Sequence, residues 1–151
     1  MKNYLLLCLL GLSLGACNKN TPAPDNSAPN FNQEFTLYPQ QQAQLPGSGT
    51  PELTVALTDL DFTYCPPTAA CLTGTYVFPK LSITDAQGQS QQLALPLVRV
   101  RTFSPDWIDS TTIRANGRRY LLYYRKWTLP ALSMGQIPQK KEISVTLQVM
   151  K

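Results

Sequence analysis

Alternation with a period of two recurs along the chain from about Phe35 onward, and it limits the possible folds more than any other feature. Leu53, Val55 and Leu57 alternate with Thr54, Ala56 and Thr58. Leu93, Leu95 and Leu97 alternate with Gln92, Ala94 and Pro96, and Ile143, Val145, Leu147 and Val149 alternate with Ser144, Thr146 and Gln148. Successive side chains of an extended chain point to opposite faces, so each run reads as a strand with one buried face. Val77, Leu81 and Ile83 form another such face, in which Pro79 marks an edge or a bulge. No window keeps apolar residues at i, i+3, i+4 and i+7. The 13 prolines and 8 glycines also punctuate the chain too often for a helical bundle. Asp85-Ala86-Gln87-Gly88 reads as a turn between strands. Asn116-Gly117 is a stronger hairpin signal, because this pair tolerates the positive φ a tight turn requires. The glutamines at 40, 41, 42 and 44 read as a loop. About seven strands over residues 34–151 predict an all-β domain, an antiparallel β-sandwich of immunoglobulin-like shape. A closed barrel is the alternative.

The N-terminus is of a different kind. A positive start, Met1-Lys2-Asn3, precedes LLLCLLGLSL, an apolar run of ten residues. A spanning helix needs about 20, so the run has the form of a signal peptide instead. Its end, Leu14-Gly15-Ala16-Cys17, resembles the lipobox of bacterial lipoproteins. The resemblance implies removal of residues 1–16, a diacylglycerol on the Cys17 sulfur and an acyl chain on its new amine. Cys8 falls in the discarded part. Two or three acyl chains anchor stably, so contact with a membrane is expected through lipid. Residues 18–33 (NKNTPAPDNSAPNFNQ) hold Phe31 as their only large apolar side chain. They read, with Cys17, as a disordered tether. Asn18 follows the cysteine where Asp would retain an enterobacterial lipoprotein at the inner membrane. That resemblance favours the outer membrane, with the domain facing the periplasm or the cell surface.

Cys65 and Cys71 remain, with Pro66-Pro67-Thr68-Ala69-Ala70 between them. An exported chain meets an oxidising compartment, so a disulfide is expected. The spacing is not Cys-x-x-Cys, and two prolines stiffen the loop, which argues against a redox role. Two thiolates without histidine do not close a zinc site. Residues 53–97, with Asp61, Cys65-Pro66, Cys71 and Gly74 in that order, resemble a family of small exported lipoproteins of unassigned function found in Bacteroidota-type bacteria. Residues 120–149 also look similar. Tyr64 stands where that family usually has Arg, and its Trp-Ala-Gly is reduced to Leu72-Thr73-Gly74. The resemblance implies the fold and the bridge, and carries no activity.

Charge divides the chain. Residues 17–98 hold two basic and six acidic groups, whereas residues 99–141 hold nine basic and two acidic ones. The basic groups, Arg99 and Arg101 among them, are interleaved with aromatics at 118–127. In an extended strand Arg118, Tyr120, Leu122, Tyr124 and Lys126 share one face, and Arg119, Leu121, Tyr123, Arg125 and Trp127 the other. Arg118, Arg119, Tyr120, Tyr124, Arg125, Lys126 and Trp127 are therefore the candidate ligand surface. It would suit an anionic glycan, lipopolysaccharide phosphate or an acidic protein. The alternative is a solvated basic face whose aromatics cover neighbouring strands. Export argues against nucleic acid.

Histidine is absent, which excludes a Ser-His-Asp triad, a Cys-His dyad and imidazole metal sites. Asp59 with Asp61, and Asp106 with Asp109, are the available carboxylate pairs for glycosidase chemistry. Asp59-x-Asp61 is half a calcium site with no EF-hand loop after it. Asp109-Ser110-Thr111 resembles the O-glycan acceptor pattern of Bacteroidota exported proteins, with Ser110 as acceptor. The expectation is a non-catalytic interaction or accessory module of the cell envelope, without cofactor or metal. The second reading is a periplasmic inhibitor of a lysozyme or protease.

Overall fold

A computed structural model of the chain describes residues 27–97 and 107–151. Cys17, Arg99, Arg101 and Asp106 lie outside the described residues. The strands are β1 (Glu34–Leu37), β2 (Gln42–Leu45), β3 (Leu53–Thr63), β4 (Tyr76–Asp85), β5 (Ser90–Ala94), β6 (Asp109–Ala115), β7 (Arg118–Thr128) and β8 (Ser144–Met150). They form two antiparallel four-stranded sheets, ordered β1-β8-β7-β6 and β2-β3-β4-β5. One core joins them. Leu53, Val55, Leu57, Leu81 and Ile83 come from one sheet, and Ile113, Leu122, Val145, Leu147 and Val149 from the other. The all-β antiparallel sandwich is as expected, with eight strands rather than about seven. Its strand order is not that of an immunoglobulin domain, which splits its strands as ABED and CFG. Here β2 to β5 run as one meander and β6 to β8 as another, with β1 beside β8.

Two bulges interrupt the period of two. On β3, Leu57 pairs with Leu81 and Asp59 with Lys80, so Thr58 is an extra residue. On β7, Tyr124 pairs with Leu147 and Lys126 with Thr146, so Arg125 is extra. Each bulge lets two inward-facing residues stand three apart, Leu57 with Leu60 and Tyr124 with the half-buried Trp127. Pro79 pairs with Leu60 just past the first bulge, and on its other side its carbonyl accepts from Leu95 N at 3.0 Å. A residue without an N–H is tolerated best at such a place.

Several expectations need correction. The glutamine-rich stretch is not all loop. Gln42–Leu45 is β2, whose Ala43 and Leu45 are fully buried. The strand expected through Leu97 ends at Ala94, and Leu97 is exposed. Nor does β8 have only one buried face. It lies between β1 and β7, so Ser144, Thr146 and Gln148 are buried beside the apolar set. Residues 27–33, assigned to a disordered tether, pack on the domain. Ser27 bridges to Ala43, Phe31 stacks on Tyr120 at 5.6 Å, and Asn32 N donates to Val149 O at 2.8 Å. Gly47 makes room for this segment, since a Cβ there would meet Ala28 O at 1.7 Å.

The hairpins set the two ends of the sandwich. Asn116 and Gly117 have φ of 52° and 69°, the positive values expected of this turn. The 85–89 turn is braced by Asp85 Oδ1, which accepts from Gln87 N at 2.9 Å and Gln89 N at 2.8 Å. These two turns lie at one end. The disulfide loop, the 38–41 turn, the 129–143 connection and the start of β6 lie at the other.

Candidate functional site

The seven residues grouped as a ligand surface on β7 do not form one surface. Tyr120 and Tyr124 are 1% and 0% exposed and belong to the core. Both hydroxyls bond inside the fold, Tyr120 to Glu52 Oε2 at 2.9 Å and Tyr124 to Val77 O at 2.9 Å. A buried phenol finds a partner in this way, and these two are structural. Arg125 lies on the outer face, where its Nε donates to Gln148 Oε1 at 3.0 Å and sits 3.5 Å from Glu34 Oε1. Its guanidinium also covers the Tyr123 ring at 4.9 Å, and Tyr123 meets Trp107 edge-on at 5.3 Å. Lys126 is exposed on the same face. Trp127 turns inward, because the bulge at Arg125 reverses the alternation. Arg118 and Arg119 stand at the hairpin tip, at the opposite end of β7 from Trp127.

Trp127 belongs to a different constellation, one that residue spacing did not indicate. The bridge between Cys65 and Cys71 is formed, with Cα atoms 6.0 Å apart. Cys65 N donates to Thr75 Oγ1 at 3.0 Å, Thr63 Oγ1 to Gly74 O at 2.9 Å, and Ala69 N to Pro66 O at 3.0 Å. Against this fixed loop lies the 129–135 segment. Between them is an open cleft of about 410 Å³, walled by Cys65, Pro66, Trp127, Leu129, Pro130 and Leu132. The exposed Met134 lines this cleft, and Leu72 follows the Cys71 of the loop beside it. Of the six large hydrophobics exposed among the described residues, five lie on connections at this end: Tyr38, Leu72, Leu97, Met134 and Ile137. Leu72 and Met134 are almost wholly in solvent. Single exposed apolar residues are ordinary; here five of the six fall at the same end of the domain. The aperiodic apolar residues of LPALSMGQIP were the available signal. Only the topology shows that they meet the disulfide loop.

Asp59 and Asp61 are brought together on the outer face of β3, but with cations. Lys80 Nζ is 3.2 Å from Asp59 and 3.0 Å from Asp61, and Lys140 Nζ is 2.9 Å from Asp59 and 3.6 Å from Asp61. The Lys140 ammonium, the Leu60 N–H and Lys80 hold the Asp59 carboxyl down to about 2. Lys80 lowers Asp61 in the same direction. Neither carboxyl carries a proton near neutral pH, so this pair lacks the raised acid that glycoside hydrolysis needs. The lysines also occupy the place a calcium ion would take. Among the described residues no three metal-ligating side chains converge.

The same cluster sets an acid limit. Folded-state values below the ordinary carboxylate range mean that the unfolded chain binds more protons as pH falls. The stability these groups contribute is fully present above the unfolded value, near 3.8 for Asp, and is lost as pH falls towards about 2. Glu52, lowered by Lys151 and the Tyr120 hydroxyl, acts in the same sense. Urea unfolding midpoints are therefore expected to hold steady from neutral pH to about 5 and to drop between about 4 and 2. Asp59→Asn should flatten that drop. An unchanged slope in the variant would remove the cluster from the acid response.

Ser110 lies on β6, half-buried, opposite Tyr123. Asp109 ties the β5–β6 connection, since its Oδ2 accepts from Leu97 N at 2.6 Å. Comparison of the chain with protein-family models, curated proteins and solved structures gives no match.

Proposed function

We propose that the chain is a lipid-anchored protein of the bacterial cell envelope, held at the outer membrane through Cys17. It acts there as a non-catalytic interaction module. The lipobox residues Leu14-Gly15-Ala16-Cys17 support the anchor. The interaction role is carried by one observation, the exposed apolar side chains at the disulfide end of the domain, Met134 among the residues of the cleft there. Fully burying a Leu, Ile or Met side chain is worth about 1.5–3 kcal/mol before ordering costs. Leu72, Met134 and Ile137 together therefore favour capture of an envelope protein with a complementary apolar surface. The bridge and its hydrogen bonds hold the loop in place beforehand, which lowers the ordering cost of binding.

The test is crosslinking in intact cells, followed by membrane fractionation and mass spectrometry. One stoichiometric protein partner is expected, recovered with membranes and released from them by Cys17→Ser. Leu72→Asp with Met134→Asp should abolish its capture. The double variant should keep the same unfolding midpoint, because exposed positions change stability by only about 0.5 kcal/mol. Capture that survives the double variant, or recovery of glycan in place of protein, would overturn the apolar-end reading. A second reading rests on Leu72, which projects at the foot of the stapled loop as an inhibitor's plug would. A partner that is a hydrolase, blocked at one-to-one stoichiometry, would select it.

A further inference from the structure

The opposite end of the sandwich carries a second feature, one that the envelope reading does not use. The 85–89 turn of one sheet and the 115–118 turn of the other meet there and are latched together. Asn116 Oδ1 accepts from Ala86 N at 3.1 Å, and its Nδ2 donates to Glu52 O at 2.8 Å. Gln91 Nε2 donates to Arg114 O at 3.1 Å. The groove between the turns has a volume of about 560 Å³ and is lined by Arg114, Arg118 and Arg119 on one side and Asp85, Gln87 and Gln89 on the other.

The charge arrangement is unusual for a solvated face. Arg114 and Arg119 are direct cross-strand partners, and Arg118 is the next residue along β7. Like charges placed opposite each other on a sheet are destabilising. Of the other cations among the described residues, Lys80 and Lys140 share Asp59 and Asp61, Arg125 has Glu34 and Lys151 has Glu52, whereas the dispersed, exposed Lys126 and Lys141 make no ion pair. Among the described residues the side chains of Arg114, Arg118 and Arg119 make no ion pair. Asp85 is the one carboxylate lining the groove, and it is engaged in bracing its own turn. Glu52, whose charge Arg118 also feels, is taken by Tyr120 and Lys151. Three arginines and a single carboxylate thus line the groove, Arg114 and Arg119 as one cross-strand pair and Arg118 at the hairpin tip, on a support that is already rigid.

We propose that this groove binds phosphate groups, carried on a soluble or glycan phosphate or on a lipid headgroup. Guanidinium groups present planar, paired donors that match phosphate oxygens, and several of them on one anion add both charge and geometry. The phosphate would relieve the Arg114–Arg119 repulsion, and the exposed Gln87 and Gln89 amides would meet neighbouring hydroxyls. The site is at the far end of the domain from the apolar cleft, so it stands whether or not the docking reading does.

The test is titration of the full chain with inorganic phosphate, followed by calorimetry and by amide shifts at Asn116 and Gly117. Saturable binding is expected, weakened at least tenfold by Arg114→Gln with Arg119→Gln. That variant should unfold at the same or a higher denaturant concentration, because it removes a like-charge pair. Lys126→Gln with Lys141→Gln removes the same charge elsewhere and should leave binding unchanged. Absence of saturable binding, or an equal loss in both double variants, would overturn the site. Vesicles of phosphatidylcholine, alone or mixed with phosphatidylglycerol, separate the two sources. Phosphatidylglycerol-dependent binding that the arginine variant loses points to a headgroup. Binding of inorganic phosphate without vesicle binding points to a soluble or glycan phosphate.

Discussion

Replacing Tyr124 by alanine is expected to destabilise the domain by about 3–5 kcal/mol, the range for deleting a large aromatic side chain from a core. Tyr124 is fully buried on β7, and its hydroxyl donates to the Val77 carbonyl on β4 at 2.9 Å. That bond crosses from one sheet to the other, so the side chain both fills the core and joins the layers. Burial pushes the phenol's pKa well above its ordinary value, and the group stays a neutral donor throughout the working range. Tyr124→Phe separates the two contributions. It keeps the ring and loses the bond, and should cost about 1–3 kcal/mol, towards the upper end if the Val77 carbonyl is left unpaired. Denaturant unfolding followed by the fluorescence of Trp107 and Trp127 reads both variants. A change within about 0.5 kcal/mol for the alanine variant, as for an exposed position, would return Tyr124 to the surface and overturn the packing described for β7.

Tyr124 also shows how far residue patterns reach. Alternation identified β3, β4 and β8, because each keeps apolar residues two apart over most of its length. Asn116-Gly117 located the β6–β7 hairpin, because few other pairs accept positive φ at both positions. On β7 the pattern was ambiguous, since both faces mix aromatics with cations. The buried face is set by neighbours, and Tyr120 and Tyr124 face Glu52 and Val77 from distant parts of the chain. The bulge at Arg125 then moved Trp127 to the core side, and no one-residue pattern reports an extra residue in one strand of a pair. β2 was hidden for a related reason. Ala43 is small and its neighbours are glutamines, so only its pairing with Val55 makes it a core residue.

The candidate surfaces were less legible than the fold. Composition located the excess of positive charge at 99–141, but it could not separate Arg125, tied to Glu34 and Gln148, from Arg114 and Arg119, which face each other. Nor could it show that the disulfide loop and the 129–135 segment share an end. That follows from β3 and β7 both ending there, which is a property of the strand order. Features set by residues within about six positions of each other, such as the alternation and the Cys65–Cys71 pair, were readable from spacing. Those joined through the sheet order were not.

Removing the bridge, by Cys65→Ala with Cys71→Ala, is expected to cost about 2 kcal/mol. The chain-entropy relation gives about 2.4 kcal/mol for a seven-residue loop, which sets the upper part of the range. The loop keeps its other ties, Cys65 N to Thr75 Oγ1 and Thr63 Oγ1 to Gly74 O, so a reduced loop still starts and ends in place. Neither cysteine belongs to the buried core, and the far end, with its Asn116 latch, should be undisturbed. The larger consequence falls on docking. Leu72 follows Cys71 directly, and Pro66 forms one wall of the cleft, so freeing the loop loosens both. Partner capture in crosslinked cells should fall more than the unfolding midpoint does, while phosphate titration of the arginine groove stays the same. Capture that persists at the wild-type level would take the loop out of the interaction surface. A domain that fails to fold without the bridge would mean that it supports the sandwich as a whole, against the short loop it closes.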